Sequence, residues 1–69
     1  MTYATSPSSA LVVPRYIGGP FDGGYGPVEP AAYVADSVLL GGGEYELRYF
    51  EIAETPKAPD RAVYSWVPA

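Results

Sequence analysis

From residue 33 to residue 52 the chain alternates apolar and polar positions on either side of three glycines: YVADSVLL, then Gly41, Gly42 and Gly43, then EYELRYFEI. Alternation with a period of two in β-branched and aromatic residues marks strands, and consecutive glycines supply the positive φ angles of a tight turn. The stretch therefore predicts a β-hairpin. With Gly42 and Gly43 as a two-residue turn, Leu40 faces Tyr45 and Val38 faces Leu47 in one apolar row. Leu39, Ser37 and Ala35 then share the other side with Glu46, Arg48 and Phe50. A three-residue turn would set Asp36 against Arg48 instead. Burying the apolar row outweighs an exposed ion pair worth about 0–1 kcal/mol, which favours the first register. Along the second strand the apolar positions change phase, from Tyr45, Leu47 and Tyr49 to Phe50 and Ile52. Such a switch calls for a bulge near Tyr49 and Phe50, or for cover on both faces.

The same reading extends to the rest of the chain. Residues 1–10 (MTYATSPSSA) are small, polar and without periodicity, and predict an extended N-terminal arm that becomes ordered on a neighbouring subunit. Residues 11–69 form a single small β domain. Leu11–Ile17 (LVVPRYI) is the first strand, and Pro14, which has no N–H to donate, predicts an edge position or a bulge. Residues 18–26 (GGPFDGGYG) are a glycine-rich loop of tight turns, with Phe21 and Tyr25 folded over the core. Prolines at 27 and 30 hold the next segment extended. After Ile52 a polar loop over 53–60 leads to a last strand over 61–67, with Ala62, Tyr64 and Trp66 on one face and Val63, Ser65 and Val67 on the other. No segment has helical periodicity. The fold class is all-β: an antiparallel meander of four to five strands, curled into a half-open barrel or a small sandwich.

Composition narrows the chemistry. In 69 residues there is no cysteine and no histidine, so neither a disulfide framework nor a thiolate or imidazole metal site is available to a core this small. Association with a partner is the remaining source of added stability. A net charge of −4, with the acids scattered along the chain, lacks the basic stripe of a nucleic-acid binder and the dense carboxylate face of a nucleic-acid mimic. No apolar run approaches the roughly 20 residues that span a bilayer, and the start of the chain is unlike a signal peptide. The expected location is a virion or the host cytoplasm.

The usual general base and the strongest nucleophile are both missing, and no carboxylates stand at a diagnostic spacing. Glu44 and Glu46 share a strand face, which a one-sided sheet requires for solubility. The glycine-rich loop around Asp22 is followed by prolines and not by the helix or the Lys-Ser/Thr of a phosphate cradle. A calcium loop is likewise absent. The reading is of a protein that is not an enzyme, with no catalytic, metal or cofactor site. Seven tyrosines, two phenylalanines and one tryptophan are more aromatic surface than so small a core can bury. Tyrosine suits interfaces because it offers large contact area with a polar tip. Tyr3, Tyr16, Tyr25, Tyr33 and Tyr49 are the candidate contact residues.

Three short patterns stand out: Tyr16-Ile17-Gly18-Gly19-Pro20-Phe21-Asp22-Gly23, then Gly43-Glu44-Tyr45-Glu46-Leu47-Arg48, then Tyr64-Ser65-Trp66. Together they resemble short proteins of actinobacteria and their phages that carry a GGP-x-DG turn, a G-x-Y-x-L-R strand and a terminal Y-x-W. The absence of Asn, Gln, His and Cys, and the weight of Ala, Gly, Pro and Val, suit a GC-rich genome. The resemblance brings no activity with it. The small core, the unpaired edges expected of an open sheet, the aromatic excess and the N-terminal arm point to a structural protein, expected to be a phage-encoded minor capsid or decoration-type component that meets a protein partner or its own copies in an assembly. The alternative is an adaptor or inhibitor that binds one host protein through an edge strand and exposed tyrosines.

Overall fold

The structure is a computed structural model that describes residues 2–55 and 57–68. Met1 of the expected arm, Pro56 of the 53–60 loop and Ala69 lie outside the described residues. The described residues are all-β and form one open six-stranded sheet: β1 (Thr2–Ala4), β2 (Leu11–Ile17), β3 (Glu29–Pro30), β4 (Ser37–Leu40), β5 (Gly43–Ile52) and β6 (Asp60–Val67). The spatial order is β1-β5-β6-β2-β3, and β4 pairs with the other half of the β5 edge that β1 occupies. This corrects the expected meander of four to five strands. β2 and β6 run parallel, from Val12 opposite Asp60 to Ile17 opposite Ser65, and a parallel neighbour cannot be reached through a hairpin. The free outer sides of β3 and of β1 and β4 leave the sheet unclosed, and with a single sheet there is no sandwich.

The hairpin forms, with its turn one residue earlier than expected. Gly41 and Gly42 take φ of +63° and +82°, the pair of positive angles of a type I′ turn. Leu40 then faces Gly43 and Val38 faces Tyr45. The slip of the pairing is even, so the faces keep their expected residues, Val38 and Leu40 inward and Leu39 outward. Gly43, now in the strand, packs against Trp66, whose indole occupies the space a Cβ there would take. Gly43→Ala is expected to cost about 1–3 kcal/mol through overpacking. A thermal midpoint equal to that of the native chain would show that the ring yields freely.

The phase switch in β5 is a bulge. Leu47 pairs with Tyr64 and Tyr49 with Val63, leaving Arg48 as the extra residue. Past it, Phe50 and Ile52 join Tyr45 and Leu47 on one face. That inner face carries the core of Val12, Tyr45, Phe50, Ala62 and Tyr64, with Tyr16, Leu40 and Trp66 packed against it.

Three connections cover the inner face and the end of the sheet. Residues 31–36, which open with a 3₁₀ turn (Ala31–Tyr33), pass from β3 to β4 at the opposite edge, and Tyr64 donates its hydroxyl hydrogen bond to Ala35 O at 2.6 Å. The 18–26 loop is tied down by Tyr45, whose hydroxyl donates to Gly18 O at 2.7 Å and accepts from Phe21 N at 2.9 Å. Residues 5–10 lead from β1 to β2, and Ser8 and Ser9 donate their backbone N–H groups to Asp60 Oδ2 at 2.7 and 2.9 Å.

Two expectations change here. The N-terminal stretch does not extend away as an arm: β1 pairs with Phe50, Glu51 and Ile52 of its own chain, because that half of the β5 edge is not used by β4. β2 is flanked on both sides, by β6 and by β3, and is not an edge strand. Pro14 is tolerated because its backbone faces away from β6, toward the 24–26 turn. There Gly26 N donates to Pro14 O at 2.9 Å and nothing is asked of the missing N–H.

Candidate functional site

The inner-face aromatics form a packed group. Tyr45 sits edge-on to Tyr16 and to Trp66, with ring centroids 4.9 and 5.0 Å apart, and Phe21 closes over Tyr16 at 6.2 Å. Burial first, then the negative charge of Glu29, with smaller contributions from Tyr16 and Asp36, pushes the Tyr64 phenol up to about 12. Burial, Glu29 and Tyr45 raise Tyr16 in the same order of importance. Both rings therefore stay neutral and act as packing surface with a hydrogen-bonding tip.

The expected contact tyrosines divide between environments. Tyr16 belongs to the inner aromatic group and is half-buried. Tyr3 and Tyr49 meet on the outer face at 4.9 Å, nearly perpendicular, with Tyr3 exposed and Tyr49 half-buried. Tyr33 projects from the 3₁₀ turn and is 77 % exposed. Tyr25 was expected over the core. Its bridge to Arg15 puts it on the outer face instead, where the Arg61 guanidinium stands 5.9 Å from its ring centre. No single patch unites the five.

On the outer face the half of β5 beyond the bulge carries a charged group that sequence reasoning did not single out. Glu51 is buried, with Arg15 Nη1 at 3.1 Å and Arg61 Nη1 at 3.9 Å from its two oxygens. The strand pattern alone marks Glu51 as outward-facing; only the packing of β2 and β6 beside it brings the arginines. Glu44 and Glu46 do share the outer face, and Glu46 pairs with Arg48 at 3.4 Å. Asp22 accepts Gly18 N at 2.7 Å and so closes its own loop. Among the described residues no group of three or more Asp, Glu, His or Cys side chains is placed to hold a metal ion. No helix among them is long and apolar enough to cross a membrane.

The other half of this side is different in character. β4 pairs with β5 alone, and its sequence, SVLL, carries neither charge nor proline. Leu39 is 82 % exposed, the most exposed large apolar side chain of the described residues. Beside it runs a groove of about 540 Å³ lined by Leu39, Leu40, the three glycines, Glu44, Val67 and Pro68. Edge strands usually carry a lysine, a proline or a bulge that blocks further pairing. Among the described residues β4 has none of these, and its outer rim is a template for another strand with an apolar floor alongside.

No family model matches the chain, and no curated protein or solved structure is significantly similar to it.

Proposed function

We propose that this chain is a non-enzymatic interaction protein that packs into a larger protein assembly through its β4 edge. In the fuller form of this reading it is a phage-encoded minor capsid or decoration-type protein of a virion shell. The observation that carries the proposal is the open rim of β4, with Leu39 exposed in an uncharged strand next to an apolar groove. A strand added there gains main-chain hydrogen bonds and an apolar seat in one step. The exposed Tyr3, Tyr25 and Tyr33 offer secondary contacts around the sheet.

Particles purified from cells that produce the chain, analysed by quantitative mass spectrometry, are expected to contain it in many copies each. Leu39→Lys should lower that copy number sharply without altering the thermal midpoint of the isolated protein. Absence from particles, together with a one-to-one complex with a single protein, would overturn the assembly reading in favour of an adaptor or inhibitor.

A further inference from the structure

We infer that residues 2–7 form a strap that lifts off β5 as one unit, while the Asp60 carboxylate keeps residues 8–10 and the rest of the sheet in place. The boundary between the two parts lies in the hydrogen bonds. Ser8 and Ser9 donate their backbone N–H groups to Asp60 Oδ2 at 2.7 and 2.9 Å, and the Ser8 hydroxyl adds a third bond at 3.2 Å. Ala10 O receives Ala31 N at 2.8 Å. Each residue from 8 to 10 is thus tied to a distant part of the chain. Asp60 is itself fixed, 1 % exposed and bound through Oδ1 to Ala53 N at the end of β5. Ahead of this latch, Thr5, Ser6 and Pro7 make no hydrogen bond among the described residues. Pro7 has no N–H to offer and holds Ser6 to extended geometry, so the three residues form a joint.

Beyond the joint the attachment is small. β1 pairs three residues with β5, Thr2 with Ile52, Tyr3 with Glu51 and Ala4 with Phe50, and has no strand on its other side. None of residues 3–7 belongs to the buried core. Tyr3 is 64 % exposed and touches Tyr49 only edge-on. A short ladder with little apolar burial does little to offset the freedom its residues regain on release, which is the condition for opening locally, short of unfolding. The latch is of the opposite kind, a buried carboxylate with charge-assisted bonds. Lifting the strap costs the β1 ladder and the Tyr3–Tyr49 contact and leaves every bond to Asp60 intact. It bares the main chain of β5 over residues 50–52, on the same edge that β4 covers further along. That edge therefore has a covered and an open state within one folded sheet.

Native-state hydrogen exchange on the full chain, followed amide by amide at urea concentrations below the unfolding midpoint, tests the strap. The β1 amides bonded to β5 should exchange at least about tenfold faster than those of β6, and nearly independently of urea, because the opening exposes little surface. The Ser8 and Ser9 amides, although next in sequence, should follow β6 in rate and in urea dependence. Tyr3→Ala removes an exposed ring and should speed the β1 amides roughly three- to tenfold, with Ser8, Ser9 and β6 unchanged. Asp60→Asn should move Ser8 and Ser9 into the fast class. β1 amides that share the rate and urea dependence of β6 would overturn the strap, and so would equal acceleration of all amides by Tyr3→Ala. Loss of Ser8 and Ser9 protection together with β1 in the native chain would remove the boundary at Pro7, and with it the inference.

Discussion

Removal of residues 1–10 is expected to lower the stability of this chain by about 3 kcal/mol or more, a large part of the roughly 4–10 kcal/mol that a chain of this length has in total. Three losses add up. The β1 ladder against Phe50, Glu51 and Ile52 disappears, and with it the cover over that half of the β5 edge. Asp60 loses both backbone donors from Ser8 and Ser9 and the Ser8 hydroxyl at 3.2 Å. Ala10 O no longer receives Ala31 N at 2.8 Å, which ties the start of the 31–36 crossing to the start of β2. Urea titration of full-length and truncated chains would measure the sum. A truncated chain with an unchanged midpoint would show that the N-terminal stretch merely rests on the sheet. The experiment also bears on assembly: reduced incorporation of such a truncation would report unfolding before it reported a lost contact.

Asp60→Asn is expected to destabilise the fold by about 2–4 kcal/mol at neutral pH, from charge-assisted hydrogen bonds worth about 1.5–3 kcal/mol each. Asp60 is 1 % exposed, and both of its oxygens accept: Oδ2 from Ser8 and Ser9, Oδ1 from Ala53 N at 2.8 Å. An amide has one oxygen and one NH₂, so either orientation turns a donor toward a backbone N–H and strands both. Burial by itself pushes the Asp60 carboxyl up, but the donors from Ala53, Ser8 and Ser9 together outweigh it and hold the group below its ordinary value of 3.8. A folded-state value lower than the unfolded one means that the unfolded chain binds the proton more readily. The stabilisation is therefore complete above 3.8 and is lost as pH falls through the folded-state value. The gap in urea midpoint between wild type and Asp60→Asn should narrow in that acidic window and stay constant at higher pH. A gap independent of pH down to the acid limit would mean that the charge on Asp60 contributes nothing beyond its shape.

What could be read from the sequence is what a strand's period of two decides locally. The alternation around Gly41–43 places Leu39 on the side opposite Val38 and Leu40, and the structure keeps that assignment even though the turn slipped, because an even slip preserves parity. The phase change from Leu47 to Phe50 required an extra residue, and it is Arg48. The candidate site was not legible in the same way: the sequence pointed to tyrosines, and although alternation puts Ser37 and Leu39 on the face opposite Val38 and Leu40, nothing in it shows that β4 ends up at a rim.

Pairing between strands far apart in sequence depends on which edges remain open once others have formed, and no local pattern encodes that. The parallel contact of β2 with β6, which displaced the meander, is of this kind, and so is the return of residues 2–4 to β5. The turn settles on Gly41 and Gly42, which leaves Gly43 in β5 against Trp66, some twenty residues away, where a Cβ would overlap the indole. Alternation thus determined which residues point together on each strand. Only the tertiary structure determined which strand each one meets, because that choice is made by non-local burial and by hydrogen-bonding edges left without a partner.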